Sequence, residues 1–341
     1  MIGDEPARPA RPPTIIDLAA HAGVSKSTVS RVLNDSPLVH VSTRDRVLAA
    51  VSELGFQINH AARSLRTSRT GLIGFLVPVI SIFGLIVEAL DAELAVDGFS
   101  ILLTSSRRRA AERDRENIEV LVGRGVDALV LAPSNDQSPD LAVFLATIRT
   151  PIVLLDRELP GLAADKLLVD HAPGIRGALE SLLASGRTRI GLLTRDRQTR
   201  AGRAIIEAWD EETARLGARS GPGLVAAFDD LDRRAGRDGV DRLLDAGVDA
   251  IVSTGTMEHT ASVLGRLGER SVRVPSDVSL VVYGYLVPPM REHLGLPTIA
   301  YPVEEVATAV RRLLLRRLDQ PEAAPSTSSV PTIFVDTASH P

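Results

Sequence analysis

A chain of 341 residues is long enough for two or three domains, and with 44% hydrophobic and 24% charged residues it can bury large cores. A net charge of −4 and the absence of cysteine exclude a uniformly basic nucleic-acid coat, disulfides and thiolate metal sites. The charge is uneven, since residues 1–70 hold nine Lys/Arg against six Asp/Glu while the remainder holds 30 against 37. A positive head on an acidic body suits a protein that touches DNA at one end only.

The opening MIGDEPARPARPP is polar and proline-rich and has no apolar signal-peptide core. Residues 1–13 are expected to be a disordered leader. No run approaches the roughly 18 apolar residues of a membrane span, so a cytoplasmic protein is expected.

Thr14 to Leu33, TIIDLAAHAGVSKSTVSRVL, predicts two short helices with a tight turn. Thr14 and Asp17 are spaced for a capping box, and Ile15, Leu18, Ala19 and Ala22 share one helical face. Gly23 suits a left-handed turn, Ser25 can cap the second helix, and Val29, Val32 and Leu33 point it inward. The outward residues of that helix, Lys26, Ser27, Thr28, Ser30 and Arg31, all donate hydrogen bonds and none is acidic, as a surface facing phosphates and base edges requires. Such a pair is a helix-turn-helix, whose second helix enters the major groove. Taken alone, it also fits a plain αα-corner of a bundle.

Ser42 and Asp45 predict a second capping box opening a third helix, which Val47, Ala50, Val51 and Leu54 bury and Gly55 ends. The small head then spans 14–57. Residues 58–70 follow as a linker in which Asn59 can cap a short helix of Ala61, Ala62 and Leu65, with Arg63, Arg66 and Arg69 around it. That stretch has too little apolar area to fold alone, and is either a solvated linker or one that orders on DNA.

From Gly71 the texture becomes strand–helix alternation: GLIGFLVPV, a helix at 84–97, a strand at 100–104, a helix from about 110 to 123, GVDALVLAP, a helix near 139–147 and PIVLLD. This implies a doubly wound parallel sheet. RIGLLT then echoes LIGFLV, GVDAIVS echoes GVDALVL, and VSLVVYG and SVPTIFVD supply further strands. Two α/β halves imply two lobes with a ligand cleft between them. The N-lobe is expected at about 71–160 plus 300–322, and the C-lobe at about 161–299 plus 323–341. PEAAPSTSSVP (321–331) reads as a mobile loop, and Arg311, Arg312, Arg316 and Arg317 as the solvated face of an amphipathic helix.

A helix-turn-helix head, an Ala/Arg/Leu linker and a periplasmic-binding-protein-like two-lobed body together resemble the lactose-repressor (LacI/GalR) family of bacterial transcription regulators. The stretches that carry the resemblance are DLAAHAGVSKSTVSRVLN, VSTRDRVLAAVSELGF, NHAARSLRT leading into IGFLVP, and later GVDALVLAP, VLLDRELPG and VPSDVSLVVYG. The resemblance implies a repressor binding a pseudo-palindromic DNA operator as a homodimer. It implies major-groove contacts from Lys26, Ser27 and Arg31 and phosphate contacts from Ser25, Thr28, Ser30, Asn34 and Thr43. It further implies a hinge helix with Asn59, Ala62, Arg63 and Leu65, the leucine wedged into the minor groove.

The effector site departs from the family pattern. Thr254-Gly255-Thr256-Met257 stands where an Asn-Asp pair is usual, Gly284-Tyr285-Leu286 where an acidic pair is usual, and Asp170-His171 where Asp-Asn is usual. The family's effector-binding arginine falls on Ile205, with Arg203 nearby. Candidate effector contacts are Phe83, Asp156, Arg203, Met257 and Tyr285. A sugar needs several convergent hydrogen-bonding groups, so the expected effector is a small molecule other than an ordinary monosaccharide. Control by a protein partner, or no effector at all, are the alternatives.

The seven histidines show no metal spacing, Arg107-Arg108-Arg109 reads as a solvated loop, and no GxGxxG, P-loop or GxSxG motif appears. No enzyme and no cofactor are expected. The competing function on this body is a solute-binding protein of a transport system, which the missing signal peptide and the head oppose.

Overall fold

The computed structural model describes residues 13–33, 36, 38–56, 69–106, 111–195, 197, 199–219, 221–228, 235–284 and 295–336. The leader up to residue 12, Asn34, the linker residues 57–68 with Asn59, Ala62, Arg63 and Leu65, the Arg107–Arg109 run and Tyr285 lie outside them. The chain divides into two compact units, Met1–Ser68 and Arg69–Pro341.

In the first unit, α1 (Ile15–His21), α2 (Lys26–Leu33) and α3 (Val41–Leu54) surround a core of Leu18, Ala19, Ala22, Val29, Val32, Val47 and Ala50. The capping box forms as the spacing predicts: the Thr14 amide donates to Asp17 Oδ2 at 2.8 Å and the Asp17 amide to Thr14 Oγ1 at 3.3 Å. Gly23, at φ +63°, turns the chain between the helices, and the Val24 amide closes the turn on the Ala19 carbonyl at 3.0 Å. The second predicted box does not form. α3 begins two residues earlier than expected, after His40, so Ser42 and Asp45 fall inside the helix, and the Ser42 hydroxyl meets His40 Nδ1 at 2.9 Å.

In the second unit, the first lobe is built on β1 (Leu72–Val77), β2 (Ser100–Ser105), β3 (Ala128–Leu131), β4 (Ile152–Leu155) and β5 (Asp165–Asp170). Between these strands run α4 (Ile80–Val96), α5 (Ala111–Gly123) and α6 (Pro139–Ala146). The second lobe holds α7 (Ala172–Ala184), β6 (Ile190–Arg195), α8 (Arg200–Leu216), β7 (Val225–Phe228), α9 (Ala235–Asp245), β8 (Ala250–Thr254), α10 (Met257–Glu269), β9 (Ser279–Tyr283) and β10 (Thr298–Ala300). The chain returns to the first lobe through α11 (Val303–Asp319) and β11 (Thr327–Pro331), then ends its described course with β12 (Ile333–Val335) in the second. The sheet orders are β11-β5-β4-β3-β1-β2 and β12-β10-β9-β8-β6-β7, parallel throughout except for β12 against β10. Each sheet buries both faces, which is why its central strands read as unbroken apolar runs.

Sheet membership moves the lobe crossings. The expected boundaries at about 161 and 323 become crossings near His171, Tyr301 and Thr332, because β5 and β11 pair with each other in the first sheet. SVPTIFVD is therefore two strands, one in each lobe, and part of the expected loop is β11. The remaining segment at 321–326 is fastened, not loose: Arg317 donates to the Pro321 carbonyl at 2.9 Å, and Arg316 to the Ala324 carbonyl at 2.8 Å and to Asp165 Oδ1 at 3.1 Å. Arg316 and Arg317 are thus anchors, Arg311 pairs with Asp97 at 2.6 Å, and Arg312 stays exposed as expected. At the last crossing the Thr332 hydroxyl accepts from the Gly174 amide at 3.2 Å and donates to the Asp170 carbonyl at 3.1 Å. A Cβ on Gly174 would stand 2.5 Å from Ile299 Cγ2 and 2.6 Å from Thr332 Oγ1, so only glycine allows α7 this close.

Candidate functional site

In the first unit, Ser25, Lys26, Ser27 and Arg31 are exposed along one side of α2, with Thr28 and Ser30 half-buried beside them. The Ser25 hydroxyl caps the helix by accepting from the Thr28 amide at 3.1 Å, and also meets the Ser27 and Thr28 hydroxyls, each at 2.8 Å. The opposite side, Val29 and Val32, is buried against α1 and α3. Arg46 reaches the Gly23 carbonyl at 3.4 Å, and His21 meets Glu53 at 2.6 Å, joining α3 to the turn and to α1. Asp17 is engaged in the cap of α1, and Glu53 of α3 is engaged by His21. Thr43 is half-buried in the first turn of α3.

In the second unit, the carboxyl ends of the strands from both lobes face one cleft, as parallel sheets arrange them. It is lined by Phe83, Ile86, Leu155, Val169, Ala201, Ile205 and Val306 among apolar groups. Asp156, Arg157, Arg195, Thr254, Tyr283 and Tyr301 are the polar lining groups.

Asp156 follows β4 directly and takes a positive φ of 51°, a conformation Asp tolerates better than most residues. This turns its carboxylate inward, where Oδ1 accepts from the Val169 amide at 3.1 Å and from the Arg200 guanidinium. His171 Nε2 lies 3.6 Å from Oδ2, and His171 Nδ1 meets the Tyr283 hydroxyl. Burial alone would raise the Asp156 pKa. His171, Arg200 and Arg157 beside it outweigh that and hold the carboxyl well below the usual carboxylate range. Burial pushes the Tyr283 and Tyr301 phenols up, so both stay neutral at physiological pH.

The lobes are strapped together beside the cleft. Asp136, after β3 in the first lobe and fully buried, accepts from the Arg200 amide at the start of α8 at 2.6 Å. It also accepts from Arg203 Nη1 and Nη2 at 3.1 Å each. The α8 N-terminus thus faces a carboxylate, the favoured sign of charge for a helix start.

Residues 14–59 match the family described as bacterial regulatory proteins, lacI family, and residues 179–339 match the periplasmic binding protein-like domain. The chain is 30% identical over 305 residues to the HTH-type transcriptional regulator GalR of Salmonella typhimurium (strain SL1344), covering 89% of this chain and 88% of that one. The chain belongs to the LacI family. It is a DNA-binding transcriptional regulator. The ribose operon repressor of Bacillus subtilis (strain 168) is 27% identical over 346 residues, covering 94% of this chain and 97% of that one. Among solved structures, the Lac repressor dimer bound to operator and the anti-inducer ONPF aligns with a TM-score of 0.78 at 25% identity, covering 96% of this chain and 98% of that one.

Within this LacI-family body, the structure brings Phe83 and Asp156 to the cleft, as the sequence expects. Ile205 lines it where the resemblance places an arginine, and Thr254, Gly255 and Gly284 line it where acidic and amide side chains are usual. Two expected contacts do not reach it. Arg203 is turned onto Asp136, and Met257 packs on the apolar cluster of the second lobe. Sequence reasoning passed over Arg157, Arg195, Arg200, His171, Tyr283 and Tyr301. Arg157 follows Asp156 directly in VLLDRE, and His171 stands where the resemblance places an asparagine. Among the described residues, no helix is long and apolar enough to cross a membrane.

Proposed function

We propose that the protein is a cytoplasmic transcriptional repressor that binds a pseudo-palindromic operator as a homodimer and responds to a small molecule in the inter-lobe cleft. Lys26, Ser27 and Arg31 read major-groove bases, and Ser25, Thr28, Ser30, Asn34 and Thr43 hold phosphates. Asn59, Ala62, Arg63 and Leu65 form the hinge that enters the minor groove. The observation that carries this is the α2 face: an exposed row of donors with no acid, set on a buried apolar stripe. Likeness to a repressor dimer solved on its operator supports it.

The test begins with a site selected by the full chain from random duplex DNA, its affinity followed by fluorescence anisotropy. Affinity falls steeply between about 50 and 200 mM salt, as phosphate contacts require. Arg31→Ala weakens the selected site by about ten- to a hundred-fold, the worth of one bidentate guanine contact, and leaves random DNA almost unaffected. An equal loss on both DNAs would make Arg31 a phosphate contact only. Leu65→Ala weakens the selected site while sedimentation still shows a dimer; wild-type affinity in that variant would remove the wedge role.

A further inference from the structure

Four guanidinium groups meet two carboxylates where the lobes face each other. Arg200 is held by Asp156, and Arg203 by Asp136. Arg195 lines the cavity near Arg157. Arg157 is the unusual member. It is only 2% exposed, yet its Nε donates to the Pro133 carbonyl at 2.8 Å and its Nη1 to the Asp156 carbonyl at 2.9 Å, both uncharged acceptors. Among the described residues no carboxylate oxygen lies within 4 Å of its nitrogens, and its Nη2 makes no hydrogen bond. A guanidinium this deep is costly; the Asp156 and Asp136 charges act on it without a hydrogen bond, and its burial still presses its pKa downward.

The rest of the lining sets the shape of what can sit there. Phe83, Ile86, Ile205, Val306 and Tyr301 supply apolar and aromatic surface. The Asp156 carboxylate, which could have received sugar hydroxyls, has Oδ1 taken by Arg200 and the Val169 amide and Oδ2 facing His171 Nε2 at 3.6 Å.

We propose that the cleft takes a small organic anion, a carboxylate carried on an aromatic or branched apolar body, with its charge against Arg157 and its body against Phe83, Ile86, Ile205 and Tyr301. This rests on the cleft being the effector site and names the class of effector. The Arg157 guanidinium supplies the attraction, the apolar wall the affinity, and the lack of convergent hydroxyl partners the rejection of neutral sugars.

The test is calorimetric titration of the full chain with phenylacetate, 3-phenylpropionate and 4-methylpentanoate, each paired with its primary amide, and with D-galactose and inorganic phosphate alone. At least one carboxylate binds tenfold or more tighter than its own amide, and tighter than galactose or phosphate. Arg157→Gln brings the carboxylate-to-amide ratio below about threefold. Should that variant not fold, Arg195→Gln, at a half-buried position, lowers the same ratio severalfold. Equal binding of acid and amide, preference for galactose or for bare phosphate, or no binding by any carboxylate overturns the proposal. Affinity of the same preparation for its selected DNA, measured alongside, separates failure of the ligand class from failure of the regulator assignment.

Discussion

Replacing Asp156 by alanine lowers the unfolding free energy of the two-lobed body by about 3–5 kcal/mol, the usual cost of removing one member of a buried ion pair. Asp156 is 5% exposed, and its loss leaves the Arg200 and Arg157 guanidiniums facing each other across the lobe junction without it. The Val169 amide loses its acceptor as well. A left-handed backbone at this position adds roughly 1 kcal/mol against alanine. Asp156→Asn separates these contributions. It tolerates the same φ and can still accept from Val169, so its deficit reports the charge alone. Urea unfolding followed by circular dichroism gives both values, and an Asn variant within about 0.5 kcal/mol of wild type would remove the ionic account. The pH dependence follows from the direction of the shift. The folded carboxyl titrates below its unfolded value of about 3.9, so its stabilisation is fully present above that value. It is lost as the pH falls further towards the folded pKa. The wild-type chain therefore loses stability more steeply below about pH 4 than the Asp156→Ala chain does.

What the sequence made legible was local. The Thr14–Asp17 box spans three residues, and composition and spacing suffice to see it. Ser42 and Asp45 have the same spacing, but helix start is decided by where the chain enters α3, and His40 sets that two residues early. The lobe crossings were not legible, because they depend on partners far along the chain. SVPTIFVD looks continuous, but it divides at Thr332, whose hydroxyl bonds across to Gly174 and Asp170. The unbroken apolar strands of both sheets announced the α/β fold, whereas β5 alternates buried and half-buried residues and carries Lys166, so it was missed.

The cleft shows the same division. Phe83 and Asp156 could be placed by matching short stretches. The contacts that define its chemistry join residues 44 positions apart in Arg200–Asp156 and 112 apart in His171–Tyr283, which no local pattern encodes. The departures at Ile205, Thr254 and Gly284 were visible in the sequence, and these residues line the cleft. They could not show that the vacated polarity is replaced by cations and aromatic surface, because Arg157 and Arg195 come from strand ends in different lobes.

The second large effect lies at Trp209. It is fully buried at the centre of the second lobe's core, among residues of α7, α8 and the sheet. Trp209→Ala destabilises the body by about 3–5 kcal/mol, the range for deleting a buried large aromatic side chain. Trp209→Phe costs much less, for a specific reason: the indole Nε1 has no hydrogen-bond partner among the described residues, so phenylalanine gives up packing volume but no polar contact. The consequence reaches the cleft through α8. Trp209 seats the helix whose first turn presents the Arg200 amide and guanidinium and the Arg203 guanidinium to the first lobe's carboxylates. A helix that settles into the cavity left by Trp209→Ala draws that turn away from Asp136 and loosens the strap between the lobes. Small-angle scattering then shows a larger radius of gyration for the Ala variant under conditions where it is still folded, and no change for the Phe variant. Equal losses of stability in the two variants would mean that a phenyl ring recovers none of the indole's contribution, against the packing account. A folded Ala variant with wild-type dimensions would break the link between this core and closure of the lobes.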